Sequence, residues 1–234
     1  MMKVIILCGG KGTRLSQETR LIPKPMVKIG GKPILDHIIE IYESYGFSDF
    51  ILALGHKSHI IKNYYGRKKK RNVRLVYTGK DTLTGGRLLR LKKFFKPNEN
   101  FMLTYGDGLS NQNLKKLANY HIKHKKIATI TAVRPQLRFG ELIIDNINVK
   151  KFKEKPQSET GWVNGGFLVF NYKIFNFLKG DMEMLERKPL EKLVKKKQLI
   201  AFKHKGFWHC MDTLRDKLFL EDLIKIKKKV PWKI

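Results

Sequence analysis

Three stretches of this 234-residue chain combine residue types that handle phosphates and divalent cations. The first is Gly9-Gly10-Lys11-Gly12-Thr13-Arg14, directly after the apolar run 3–8. Glycines tolerate positive φ and let backbone N–H groups come close to a phosphate or the edge of a base. The spacing matches neither GxxxxGK[ST] nor a dinucleotide fingerprint, whose third glycine falls on Leu15. The second is Lys24, flanked by Pro23 and Pro25. Prolines restrict the backbone and remove donors, so an extended segment is expected that aims the ammonium into a crevice. The third is Asp107, between Gly106 and Gly108 after the apolar run 101–105. A carboxylate there suits Mg²⁺, which takes one or two carboxylates with waters and substrate phosphates; the competing role is to cap the next helix. Asp212, just before the last helix, reads on its own as a cap rather than a ligand.

The elements that must hold these residues follow from hydrophobic period. Runs 3–8, 50–54, 73–77, 101–105 and 127–133 are short and apolar or β-branched, the pattern of strands buried in a parallel sheet. Between them, 33–45, 59–65, 88–95 and 114–124 carry helical spacing, and Gly46 sits where a helix C-cap belongs. This alternation predicts an α/β fold with a mostly parallel sheet, whose ligands bind at the carboxyl ends of the strands. Beyond 134 the pattern changes to a hairpin over 142–152 around Asn146, a strand at 167–171, and amphipathic helices at 190–197 and 214–228. Without a linker, a repeat or a shift in composition, one mixed α/β domain over 1–234 is expected, with halves at 1–133 and 134–234 and helices at the end of the second.

The formal charge is +29, which at first suggests nucleic acid. Yet 38 lysines face only 11 arginines, and readers of bases lean on arginine forks. Apart from 67–71 and 227–229 the basic residues are scattered, the pattern of a solvated surface rather than of a nucleic-acid reader, and the charge favours anionic small-molecule substrates over cationic ones. Two cysteines exclude a disulfide framework, and no run of 18 apolar residues marks a membrane span, so a soluble cytoplasmic protein is expected. The pairs His56/His59 and His121/His124 read as surface histidines, Trp162, Trp208 and Trp232 as packing residues. Thr13, Ser16 and His37 form no nucleophile, base and orienter set.

Residues 7–15 (LCGGKGTRL) and 23–25 (PKP) resemble the signature of the sugar-1-phosphate nucleotidyltransferases. PMVKIGGKPIL, TGKDTLTGGRL, TYGDG, FGELIID, FKEKP, VNGGFLVF, MDTLRDK and VPWK extend the likeness along the chain in the family's order, several of them particular to its cytidylyltransferase branch. The resemblance implies a Rossmann-like three-layer αβα fold with a mixed, mostly parallel sheet. It implies Mg²⁺-dependent attack of glucose 1-phosphate on CTP, in a homo-oligomer. It assigns catalysis to Arg14 and Lys24. The nucleotide would lie on Leu7, Cys8, Gly9, Gly10, Lys11, Gly12, Thr13, Arg14, Lys24, Thr82, Arg87 and Gly106. The metal would lie on Asp107 and Asp212, and the sugar phosphate on Glu154, Lys155 and Asn164. Position 8 is Cys where the family usually has Ala, and roughly twenty residues usual to the family between 65 and 72 are replaced by a short basic run. Another nucleotide (UTP or dTTP), another phosphorylated acceptor, or a binding protein without catalysis are the alternatives.

Overall fold

The computed structural model describes residues 2–66, 72–136, 140–153, 161–226 and 230–233. The basic runs at 67–71 and 227–229 and the residues Glu154 and Lys155 lie outside them. Strand β1 (Val4–Cys8) leads through the glycine turn to a short helix α1 (Ser16–Thr19), then to a 3-10 turn at Lys24–Met26. Strands β2 (Lys28–Ile29) and β3 (Lys32–Pro33) form a two-residue ladder before helix α2 (Ile34–Ser44). Then come β4 (Phe50–Leu54), α3 (Ser58–Gly66), β5 (Val73–Tyr77), α4 (Thr84–Arg90), β6 (Asn100–Tyr105), β7 (Gly108–Ser110), α5 (Leu114–His124) and β8 (Ala128–Val133). The second half adds the hairpin β9 (Glu141–Asp145) and β10 (Asn148–Lys153), β11 (Val163–Asn171), α6 (Lys188–Lys195), β12 (Leu199–His204), β13 (Trp208–Cys210) and α7 (Leu214–Ile226).

The main sheet has the order β12-β8-β11-β6-β1-β4-β5. β11 runs antiparallel to both β6 and β8, and every other pairing is parallel. β1 shows why a run with no polar residue was needed. Val4, Ile6 and Cys8 enter one core with Ile38 of α2, Ile61 of α3, Leu117 of α5 and Leu220 of α7. Ile5 and Leu7 enter the other with Leu88 of α4 and Leu190 and Leu193 of α6. Both faces are therefore covered by helices, and the αβα layering expected from the sequence is present.

Three expectations need correction. The helix expected at 88–95 begins earlier, at Thr84, and gives way to a 3-10 turn at Lys92–Phe94. Gly85 and Gly86, ordinarily helix-weakening, lie inside it because another backbone crosses there: a Cβ on Gly86 would stand 2.4 Å from the Asp181 carbonyl oxygen. Lys24 is not extended. It starts the 3-10 turn, with Met26 N–H donating to Pro23 O at 2.8 Å and Val27 N–H to Lys24 O at 3.1 Å, and only Pro23 has the extended geometry. His121 is buried rather than on the surface, its ring bonded to the Thr129 hydroxyl.

Candidate active site

At the carboxyl ends of β1 and β6 lies a cavity of about 370 Å³. Leu7, Cys8, Gly9, Gly10, Gly12, Thr13 and Arg14 form one wall, Thr82 and Arg87 another, and Lys24, Gly106 and Asp107 the floor; all twelve were picked out from the sequence. Lys11 does not join them: from the tip of the turn its ammonium reaches outward to Asp81, 3.1 Å away. Asn164 does not line the cavity either, its Oδ1 accepting from the Gly166 N–H at 2.8 Å.

The floor is built by topology. After β6 the chain turns tightly at Asp107 into β7, which pairs antiparallel with β13, Gly108 opposite Cys210. Met211 N–H then donates to Asp107 O at 2.9 Å, so residues far apart in sequence meet. Lys24 Nζ donates to Asp107 Oδ2 at 2.6 Å and to Asp212 Oδ1 at 2.5 Å, while Arg14 Nη1 stands 2.9 Å from Asp212 Oδ2. Burial alone would lower the Lys24 pKa, but the two carboxylates outweigh it and hold the ammonium above its ordinary value. Asp212 is not the helix cap. Thr213 and Asp216 form a capping box for α7: Asp216 Oδ2 accepts from Thr213 N–H at 2.7 Å and Thr213 Oγ1 from Asp216 N–H at 3.3 Å. That leaves the Asp212 carboxylate to pair with Lys24 and Arg14, both of which line the cavity.

One ligand atom each from Asp107, Cys210 and Asp212 falls within 4.8 Å of the others. Two carboxylates are the hard oxygen donors that a Mg²⁺-like cation takes, and their pairing with Lys24 shows that the site holds positive charge between them. The Cys210 thiol is pushed up by burial and the adjacent carboxylates, which keeps it neutral. The donor set thus fits a divalent cation on Asp107 and Asp212.

Arg87 is buried, and its guanidinium is spent on four backbone carbonyls and one hydroxyl. Nη1 donates to Gly79 O at 2.7 Å, Thr78 Oγ1 at 2.9 Å and Leu54 O at 3.2 Å, and Nη2 to Gly9 O at 2.9 Å and Lys80 O at 3.3 Å. It ties the glycine turn to the loops after β4 and β5. The close approach explains Gly9, where a Cβ would stand 2.2 Å from the Arg87 Cζ.

Sequence reasoning missed the buttress behind this wall. The amino end of α4 is capped by the crossing segment: Leu83 N–H donates to Asp181 O at 2.8 Å and Gly85 N–H to Glu183 O at 2.9 Å. Glu186 accepts from Thr84 Oγ1 at 2.6 Å and from the Tyr105 hydroxyl, and Thr84, Tyr105 and Met184 line the cavity. The glycine pair before Arg87 was the available signal, since two glycines within a helix announce a close neighbour.

Among known proteins, residues 3–213 match the nucleotidyl transferase family. The chain belongs to that family. This transferase is 43% identical over 255 residues to the glucose-1-phosphate cytidylyltransferases of Salmonella typhi and Salmonella typhimurium (strain LT2), with 99% of each chain covered. Among solved structures, HddC from Yersinia pseudotuberculosis superimposes with a TM-score of 0.76 at 28% identity, covering 97% of the transferase and 100% of that chain. No helix among the described residues is long and apolar enough to cross a membrane.

Proposed function

We propose that this transferase condenses CTP with α-D-glucose 1-phosphate to give CDP-glucose and pyrophosphate, using Mg²⁺. The observation that carries the reaction type is the ion-paired cluster of Lys24, Arg14, Asp107 and Asp212, three of which line a cavity walled by the glycine turn. The base and the acceptor rest on the whole-length likeness to the two Salmonella cytidylyltransferases. In the reaction a phosphate oxygen of the sugar phosphate attacks the α-phosphorus in line, the bond to the bridging oxygen of the β-phosphate breaks, and pyrophosphate leaves. A phosphate monoester, with a second pKa of about 6, is already a dianion near neutral pH and needs no base to activate it. The chain's work is therefore positioning and charge neutralisation.

Each residue has a part in that work. Backbone groups of residues 7–14 meet the base and ribose, with Thr82, Arg87 and Gly106 completing the nucleotide site. Arg14 and Lys24 neutralise the charge that grows on the phosphates. Lys24 stays protonated throughout the neutral range, because its pKa lies above the ordinary lysine value. Asp107 and Asp212 hold Mg²⁺, which supplies Lewis-acid stabilisation of the reacting phosphate when bound. Asn164, with Glu154 and Lys155, receives the sugar phosphate. The substrates are soluble anions, which fits a cytoplasmic enzyme with a basic surface, and a homo-oligomer would cover the apolar face of the β9–β10 hairpin.

The test is pyrophosphate release with Mg²⁺, crossing CTP, UTP, dTTP, GTP and ATP with glucose 1-phosphate and identifying the product by mass spectrometry. Turnover with CTP alone is expected. Turnover with another nucleotide in its place would overturn the cytidine assignment.

A further inference from the structure

Lys24 contacts the same two carboxylates that are proposed to hold the divalent cation. Its Nζ bonds one oxygen of each, Asp107 Oδ2 at 2.6 Å and Asp212 Oδ1 at 2.5 Å. The second oxygen of Asp212 is paired with Arg14 at 2.9 Å. The Lys24 side chain is 11% exposed and the two carboxylates about 20%, so these charges are only weakly screened by water. Two carboxylates, one ammonium and one guanidinium sum to zero. A dication entering this neutral cluster must push the ammonium off both carboxylates, or arrive with anions that give the ammonium another partner.

We propose that Lys24 is a built-in competitor of the divalent cation: in the nucleotide-free protein it holds Asp107 and Asp212 and keeps cation affinity low. The triphosphate supplies the oxygens onto which the ammonium can move, which releases the carboxylate pair. One side chain would then make cation and nucleotide binding mutually favourable, a coupling of the 5–150-fold size common between linked ligands. Lys24 acts here as a positioning residue, through the carboxylates. This inference rests on the assignment of Asp107 and Asp212 as cation ligands.

The experiment uses Mn²⁺ alone, without nucleotide or acceptor. Free Mn²⁺ is followed by its electron paramagnetic resonance signal in titrations of the wild type, Lys24→Gln, Lys24→Arg and the double variant Lys24→Gln/Asp107→Asn. Lys24→Gln is expected to bind Mn²⁺ at least tenfold more tightly than the wild type, and Lys24→Arg, which keeps the charge, to remain within about threefold of it. The double variant is expected to lose the gain. Thermal unfolding gives a second readout that a folding defect does not hide: Mn²⁺ should raise the Tm of Lys24→Gln more than that of the wild type. Unchanged or weaker Mn²⁺ binding by Lys24→Gln overturns the competition. A tight site that survives Asp107→Asn overturns the cation assignment and the competition with it.

Discussion

Lys24 donates to both Asp107 and Asp212, so its loss removes the group proposed to meet growing phosphate charge. Lys24→Ala is expected to lower turnover on the order of a hundredfold or more, measured by pyrophosphate release, while circular dichroism remains that of the wild type. Asp107→Asn should reduce the rate and raise the Mg²⁺ concentration needed for half-maximal activity together; an unchanged Mg²⁺ titration would remove Asp107 from the metal site. At this scale the glycine turn, Lys24 and Asp107 were legible because their types are unusual for their local context. Asp212 was legible only through the family resemblance, since an Asp before a helix is so often a cap, and the ladder of β7 with β13 brings it to Lys24. Lys11 could not be told from its neighbours in the turn, because nothing in the local pattern says which way a turn's tip points.

Helix α4 carries the wall of the cavity through contacts that its own sequence does not contain. Arg87→Ala strands carbonyls of Gly9, Leu54 and Gly79 and is expected to cost about 3 kcal/mol of stability in urea unfolding. Gly86→Ala forces a Cβ against the Asp181 backbone and is expected to cost roughly 2 kcal/mol and to raise the KM for the nucleotide. Helix α5 holds a different device. The Thr129 hydroxyl bonds both His121 Nδ1 at 2.8 Å and His124 Nε2 at 2.7 Å; with one proton it donates to one ring and accepts from the other. Burial, with His124 alongside, lowers the His121 pKa from 6.5 to about 4. Between those values the unfolded chain takes up a proton that the folded chain refuses, so stability is lost as pH falls from 6.5 toward 4. The loss is on the order of 3 kcal/mol, and His121→Gln should flatten that part of the stability curve relative to the wild type. Elements whose burial is two-sided, β1 and β4, were plain in the sequence. β12 was missed because it is a sheet edge whose residues alternate between half-buried and exposed.

For the molecule as a whole, a mostly parallel α/β sheet follows from periodicity, whereas its three-layer arrangement was implied by the family resemblance and the place of β11 between β6 and β8 depends on contacts no local pattern encodes. Among the described residues, the β9–β10 hairpin is one place where apolar surface stays open. A bulge between Val149 and Lys151 sets Val149 opposite Ile144 and Phe152 opposite Leu142, so all four share one face even though Val149 and Phe152 are three apart. Each of the four is about half exposed. An isolated pair of strands is marginal in water, and an apolar face on it calls for a cover. Under the proposed homo-oligomer, Ile144→Lys with Phe152→Lys should lower the mass found by sedimentation equilibrium and leave the far-UV spectrum intact. A wild-type monomer at working concentration would remove the subunit-contact reading.

Trp232 is 1% exposed, its indole N–H reaching His37 Nδ1 at 3.3 Å and its ring stacked on Phe207. It shares one core with β1, α2 and α7. During synthesis, then, the part of this core around His37 of α2 is made early and lacks one of its covering side chains until residue 232 clears the ribosome. A nascent chain that has not yet made residue 232 leaves apolar surface open at that place, where a chaperone has something to hold.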